Sequence, residues 1–439
     1  MLNQIEQAGI IGAGGAGFPA HVKLGAEADI FIVNAAECEP LLYSDKYLML
    51  NKSSEIIKGI DFIKKLTKSS KAYIGIKEKN SDCAEILKKI IGDRKDIEVK
   101  ILRNSYPSGD EQVMIYEITG RIVPEGGIPL NIGVIVNNVE TVYRVYNALE
   151  NKKPFTKRYV TVTGDINKPF VAEIPVGVSF SHILELAGKK PGLNYIAVDG
   201  GPMMGKITEV DKGFIKKTTS GIIFLDKKSI LIQRKTQNIK NVISQAAATC
   251  CNCVTCTDLC SRYLIGHKME PHKIMRAIFN QNLDNKLFET AFLCSECNIC
   301  ELYACPLNLS PRTVNVFLKD EYRKKGKRPE WDKRELSAPE FREGRLVPSE
   351  RLINRLGLGS FSKIKPDFRE KVEIPEKLYI FTNSHIGAPA EICVKQGDSV
   401  LKNQNIAVKN GNVSANYHSP TDGIVSEVQE NLIVIEVKK

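Results

Sequence analysis

CCNCVTCTDLC (250–260) and CSECNICELYAC (294–305) decide the centre of this chain. Cys250, Cys253, Cys256 and Cys260 follow C-x2-C-x2-C-x3-C, and Cys294, Cys297, Cys300 and Cys305 follow C-x2-C-x2-C-x4-C before Pro306. Three thiolates at successive three-residue steps can cap three irons of one cuboidal cluster, with a fourth arriving from farther away. Structural zinc asks for two separated pairs in a tetrahedron, which this spacing does not offer. In two-cluster ferredoxins the fourth cysteine serves the other cluster. That rule groups Cys250, Cys253 and Cys256 with Cys305, and Cys294, Cys297 and Cys300 with Cys260. Ser261 stands where proline commonly follows, and the second run has one extra residue before Cys305. Cys251 is an adjacent spare beside Cys250, and His267 and His272 read as surface or capping residues. Cys38, Cys83 and Cys393 read as buried small hydrophobes.

Outward from this helical, cysteine-rich part (238–320), the pattern changes on both sides. Upstream, ADIFIVNAA (28–36), AYIGIK (72–77), alternating Ile97, Val99 and Ile101, and GVIV (133–136) read as strands. Between them Ile56, Ile57, Ile60, Ile63 and Leu66 recur at helical spacing, and CAEILKKII (83–91) and NNVETVYRVYNALE (137–150) add helices. Residues 1–152 are thus an α/β layered sheet. Residues 153–230 hold short strands around the single helix SFSHILELAG, a small α+β module. Downstream, 321–375 is rich in Lys, Arg, Glu and Pro with little periodicity and reads as a linker or wrap-around arm. Residues 376–439 return to short strands and turns, an all-β module.

Length and composition agree with several domains: 439 residues, 43% hydrophobic, 26% charged and 7% aromatic, which excludes a disordered or fibrous chain. No apolar run reaches the roughly 20 residues that span a bilayer, and MLNQIEQAGI lacks the basic and apolar regions of a secretory signal. The expectation is a cytoplasmic chain without a transmembrane segment. Twelve cysteines in a reducing compartment then point to metal or redox chemistry.

Gly12, Gly14 and Gly17 spell G-x-G-x-x-G, but only eleven residues precede them and Pro19 follows at once, unlike a dinucleotide-binding fingerprint. Without Cβ atoms such a loop lets its backbone approach a planar ring or a phosphate. GAGGAGFPAHVK (12–23), NAAECEP (34–40), YPSGDEQ (106–112) and NNVET (137–141) occur in this order. Together they resemble the FMN-binding fold of the NADH-oxidising flavoprotein of respiratory complex I. They are closer still to the RnfC proteins of Rnf electron-transport complexes and the PduS-type cobalamin reductases. Residues 157–225 resemble the SLBB β-grasp domain of these families, and 384–427 their barrel-sandwich hybrid domain. RnfC proteins carry that last module at the N-terminus, whereas the cobalamin reductases carry it at the C-terminus, as here.

The resemblance implies an FMN site in which Gly12, Gly14 and Lys23 hold phosphate and ribityl chain, with Asn34 and Glu37 beside them. Tyr106, Gly109, Asp110 and Glu111 would form its floor, and Asn137, Asn138 and Thr141 would complete phosphate binding. Glu111 is the catalytic carboxylate it implies. Ser108 to Glu111 also fits a helix-capping pattern, S-x-x-E, and for Asp110 binding and capping stand as equal alternatives. Phe18 matches the aromatic that stacks on NADH adenine, and Glu39 a carboxylate near the nicotinamide nucleotide. A second aromatic of the complex I flavoprotein is missing, since LGAEA follows Lys23.

Function by resemblance is NADH-dependent oxidoreduction: NADH as donor, FMN and two 4Fe-4S clusters as carriers, and cobalamin, or a cobalamin-handling adenosyltransferase, as receiver. The family also implies the lumen of a bacterial microcompartment for diol degradation, with shell proteins as partners. An electron-transfer protein feeding a membrane complex or another terminal reductase is the alternative. A cluster-stabilised scaffold binding nucleic acid through EYRKKGKRPEWDKR (321–334) is a third reading, opposed by the interleaved acids. The formal charge of +11 falls by about 4 units with two clusters and roughly 2 more with a flavin phosphate, which is not a polycation. In the last module Asn412 sits where a carrier domain would present its modified lysine, and Lys409 lacks apolar flanks, so docking is expected there, not a swinging arm.

Overall fold

A computed structural model describes residues 1–280, 285–331 and 334–438. Residues 281–284, 332–333 and 439, which fall within the expected cluster module, basic stretch and last module, lie outside the described residues.

Strand Ile30–Asn34 shows how the first sheet is buried. Phe31 and Val33 enter a core with Ile56, Ile60, Ile63 and Leu87, while Ile32 faces Met114, Ile115, Val134 and Val136 on the other side. A strand covered on both faces reads as a continuous apolar run, as IFIV does. Four parallel strands lie in the order Ile97–Leu102, Lys71–Lys77, Ile30–Asn34, Val134–Asn138. Helix Ser53–Thr67 packs on helix Val139–Glu150, where Gly59 permits the approach, since a Cβ there would lie 2.6 Å from the Val142 carbonyl oxygen. The chain moves outward from Ile30–Asn34 and then returns to its other side. The reversal lies between Ile30–Asn34 and Val134–Asn138, and in such sheets ligands bind outside the carboxyl ends of the strands flanking it.

The second sheet has six strands in the order Asp367–Arg369, Phe170–Pro175, Lys157–Gly164, Gly221–Asp226, Tyr195–Asp199, Lys206–Thr208, with helix Phe180–Ala187 on one face. Its core is continuous with that of the last module, through residues such as Val178, Phe180, Leu378, Ile380 and Ile433. That module has two sheets, Lys377–Phe381, Leu432–Val437, Gly423–Gln429 and Ser399–Val400 against Glu391–Ile392, Asn405–Val408 and Tyr417–His418. It is also tied to the first domain, because Lys409 pairs with Glu6 and the Ile386 amide donates to the Gly17 carbonyl at 3.1 Å. Asn412 is exposed in the loop before Tyr417–His418. The cysteine-rich part is built on helices Ile239–Thr249, Pro271–Ala277 and Pro311–Lys324 around Val242, Ile274, Phe288, Val314 and Leu318.

Residues 321–375, expected as a linker or wrap-around arm, contribute strands to two sheets. Val347–Pro348 pairs antiparallel with Ser105–Tyr106, and Asp367–Arg369 extends the second sheet in parallel. Strands of two and three residues carry no readable period, so only their partners reveal them.

Candidate redox centre

The glycine loop lies over the crevice at the sheet reversal. Gly12 closes it by donating to the Phe18 carbonyl oxygen at 2.8 Å, and Gly14, Gly15 and Ala16 are exposed. The Ala13 amide donates to Thr141 Oγ1 at 2.9 Å, fastening the loop to the first turn of helix Val139–Glu150. Position 14 faces Asn138, whose Cβ would stand 3.5 Å from an added side chain. The strand ends supply Asn34 and Asn138, which are in register, and Asn137 beside them.

Each predicted flavin residue has a defined place. Asn34 Nδ2 donates to the Gly109 carbonyl at 2.8 Å, joining the NAAECEP and YPSGDEQ loops. Lys23 Nζ is 2.6 Å from Glu111 Oε1, both partly exposed at the crevice. Asn138 is the N-cap of its helix, accepting from Glu140 N at 2.9 Å, and its Nδ2 donates to Asp45 Oδ2 at 3.0 Å. Asn137 is buried, and its Nδ2 has no partner. An amide donor left unpaired beside an open glycine loop is what an oxygen-rich ligand would satisfy, so these residues fit a phosphorylated flavin.

Four predicted residues have their polar groups engaged by partners within the protein. Glu37 is buried and accepts from Ser44 Oγ and the Asp45 amide, both at 3.0 Å, so it caps helix Ser44–Asn51; burial pushes its carboxyl up. Both oxygens of Glu39 accept backbone amides, Met203 at 2.9 Å and Met204 at 2.8 Å, and a side chain at Gly201 would collide with it. The hydroxyl of Tyr106 points away from the crevice to the Cys297 carbonyl, 2.9 Å. Asp110, not Ser108, is the N-cap of helix Glu111–Thr119, accepting from Gln112 and Val113 amides at 3.0 and 3.1 Å. It also takes a two-pronged bond from Arg262, at 2.9 and 3.0 Å. Phe18 is half-buried at the end of the glycine loop, next to Gly17, which packs against Ser384 and His385 of the last module.

Two supports escaped sequence reading. Arg158, fully buried, donates to Glu140 Oε2 at 2.6 Å, to the Thr219 carbonyl at 2.9 Å and to the Ala13 carbonyl, so a buried ion pair props the glycine loop from below. Asp45 lies buried beside Glu37 and Asn138, and burial with the Glu37 charge holds its carboxyl well above the usual range. Neither has a local signal, since their partners are distant in the chain.

The cysteines gather in the two expected sets. Cys250, Cys253, Cys256 and Cys305 line one cavity with Met275, Leu307 and His272, and Cys251 lines it too. Cys260, Cys294, Cys297 and Cys300 lie near enough for the other thiols' charge to raise the pKa of Cys260 and of Cys300, on top of burial. Burial likewise pushes Cys256 up to about 12 and Cys297 up to about 11. Buried thiols crowded this way are stable as thiolates only around strong cationic charge, which suits iron–sulfur cores. Among the described residues no group of three Cys, His, Asp or Glu side chains forms a single-ion site.

The two sets differ in surroundings. The Cys260 set is built against the flavin domain, through Tyr106 to Cys297, and against the second sheet, through Asn298 Nδ2 to the Met203 carbonyl at 2.5 Å. The Cys250 set opens outward, with Cys251 and Cys253 exposed. Cys250 is half-buried, whereas its neighbour Cys251 is exposed. His272 bonds Thr257 Oγ1 at 2.7 Å beside this cavity. His267 corrects the expectation of a surface residue: it is 3% exposed and bonds the Val123 carbonyl at 2.9 Å, locking the cluster part to the first domain. Cys83 is buried as expected, Cys38 is half-buried against Gly109, and Cys393 is exposed, contrary to expectation.

Comparison with known proteins places these parts. Residues 5–147 match the model of the Nuo51 FMN-binding domain, 249–310 that of the 4Fe-4S dicluster domain, and 365–438 that of the RnfC barrel sandwich hybrid domain. Cobalamin reductase PduS of Citrobacter freundii is 40% identical over 439 residues, covering 98% of this chain and 95% of its own length. The C component of the Na(+)-translocating ferredoxin:NAD(+) oxidoreductase complex of Acetobacterium woodii is 36% identical over 268 residues, 59% of this chain and 57% of its own. A solved chain of NAD+-reducing NiFe hydrogenase in the H2-reduced state shares 18% identity at a TM-score of 0.48, covering 74% of this chain and 61% of its own.

Proposed function

The chain belongs to the family of the PduS cobalamin reductases, and from that premise we propose that it oxidises NADH and delivers the electrons singly to the cobalt of cobalamin. The observation that carries this reading is the shared wall of the two centres: the YPSGDEQ loop that floors the flavin crevice also bonds Cys297 and Arg262. When bound, FMN converts a hydride's electron pair into single electrons, which 4Fe-4S clusters carry one at a time.

The chain's own groups do the rest. The glycine loop offers its backbone N–H groups, the free Asn137 amide and the Lys23 ammonium to the phosphate and ribityl oxygens. Lys23 is held in place by Glu111, whose carboxylate lies at the crevice where the dihydronicotinamide would meet the flavin. Phe18 offers an aromatic face for adenine. Cys250, Cys253, Cys256 and Cys305 hold one cluster, and Cys260, Cys294, Cys297 and Cys300 the other. Because the Cys250 set is the exposed one, the acceptor meets the protein near Cys253 and Leu307.

Among the described residues no helix is long and apolar enough to cross a membrane. In this reading the chain works in a microcompartment lumen beside shell proteins, and a cobalamin-handling adenosyltransferase consumes the reduced cobalt. Feeding a membrane complex is supported by the Acetobacterium woodii relative, but that likeness covers 59% of the chain, against 98% for the cobalamin reductase. Anaerobic titration of the reconstituted protein with NADH tests the donor. Bleaching of flavin and cluster absorbance is expected, and bound flavin that does not bleach would refute it.

A further inference from the structure

A forked ion pair between Asp110 and Arg262 joins the flavin domain to the cluster part. The two side chains are 152 positions apart in sequence, are only 12% and 10% exposed, and meet at 2.9 and 3.0 Å. Arg262 follows Cys260 by two residues. Ser261, between Cys260 and Arg262, has its hydroxyl 3.7 Å from Cys297 Sγ, and Tyr106, four residues before Asp110 in the same loop, bonds the Cys297 carbonyl at 2.9 Å. The ion pair therefore stands where the flavin-domain loop meets the segment that carries Cys260. At the same set Lys319 bonds the Cys294 carbonyl at 2.7 Å and pairs with Glu296, which also meets Arg312.

We propose that Asp110 and Arg262 are positioning residues that set the reduction potential of the cluster held by Cys260, Cys294, Cys297 and Cys300, independently of the other cluster. The inference rests on the reading that both cysteine sets hold 4Fe-4S cores. A cluster gains one negative charge on reduction, and its potential responds to net charge nearby. The Arg262 cation favours the reduced form and the Asp110 carboxylate opposes it, and at this burial neither is fully screened by solvent. The pair thus holds the potential between the values either charge alone would impose. Asp110 also starts the helix whose first residue, Glu111, holds Lys23. One short segment thereby serves both the flavin crevice and the cluster.

The substitution Asp110→Asn isolates the charge, because asparagine caps a helix as well as aspartate and still accepts from Arg262. The experiment is a redox titration of reconstituted holoprotein followed by electron paramagnetic resonance of the reduced clusters. For Asp110→Asn the reduction equilibrium of one cluster should shift about tenfold toward the reduced form, about 59 mV for one electron. Arg262→Gln should shift the same cluster the opposite way. Arg262→Lys keeps the charge but not the fork, and should leave the potential near that of the parent. The other cluster should not move in any variant. Potentials unchanged in Asp110→Asn and Arg262→Gln, or both clusters moving together, would overturn the proposal. Absence of two cluster signals in the parent protein would refute the cluster reading itself, a separate outcome. If Arg262→Gln does not fold, Asp110→Asn and Arg262→Lys still decide between charge and no effect.

Discussion

The phenol of Tyr106 donates to the carbonyl oxygen of Cys297 at 2.9 Å, across 191 positions of sequence. Burial and the Glu39 charge hold this phenol well above its ordinary pKa, so it remains a donor. Around it, Asn298 bonds the Met203 carbonyl, and Glu39 takes the Met203 and Met204 amides. The flavin loop, the loop of the second sheet and the cluster loop are knotted at one place.

Tyr106→Phe leaves the Cys297 carbonyl without its partner in a buried site, a loss of about 1–3 kcal/mol. The expected result is a lower unfolding midpoint with FMN retained and slower cluster reduction after NADH mixing, read by calorimetry and stopped-flow absorbance. An unchanged midpoint and rate would show that the knot does not matter.

Arg158→Met removes the prop under the glycine loop and strands the Glu140 carboxylate with one arginine fewer. Breaking one partner of a buried ion pair costs about 3–5 kcal/mol. FMN retention on a desalting column should fall sharply, and Arg158→Lys should lie between parent and Met variant, since one ammonium cannot make all three bonds.

Serine substitutions distinguish the adjacent thiols. Cys250→Ser should halve the iron bound after reconstitution, whereas Cys251→Ser should leave it unchanged, because Cys250 keeps the three-residue step to Cys253 and Cys256 and is half-buried while Cys251 is exposed. The reverse pattern in an iron assay would transfer the ligand role to Cys251.

Lys217 gives a pH prediction. Its amine is fully buried with two carbonyl partners, Gly9 at 2.7 Å and Asn416 at 2.8 Å, and the Tyr417 ring centroid 4.3 Å away. Burial pulls its pKa from 10.5 down to about 7. Between these values the unfolded chain binds a proton that the folded one releases, so this group makes stability rise with pH from about 7 to about 10.5. Below about 7 the full cost of the buried cation remains. In urea unfolding, Lys217→Met should lack that part of the rise, and a slope equal to the parent's over this window would contradict the assignment.

What the sequence disclosed follows from how local each signal is. The cysteine sets are local in spacing, and so are the glycine loop and the strand IFIV with its two-sided burial. Arg158, Asp45 and Lys217 were silent because their meaning lies in partners such as Glu140, Asn138 and Asn416 that only folding brings near. Asp110 had two readings, binding and capping, and the structure gives it capping plus a bond to Arg262 that no pattern announces. The strands Val347–Pro348 and Asp367–Arg369 are too short for periodicity: the first exists only as a ladder with Ser105–Tyr106, and the second because the edge of the second sheet accepts it.

Electron delivery from NADH to cobalt is read directly in an anaerobic assay in which NADH is the sole reductant, cob(II)alamin the acceptor and an alkylating agent the trap. Alkylcobalamin should form in proportion to NADH consumed and should be lost in the Cys253→Ser variant. Flavin and clusters that bleach with NADH while no alkylcobalamin forms would contradict cobalt as the acceptor.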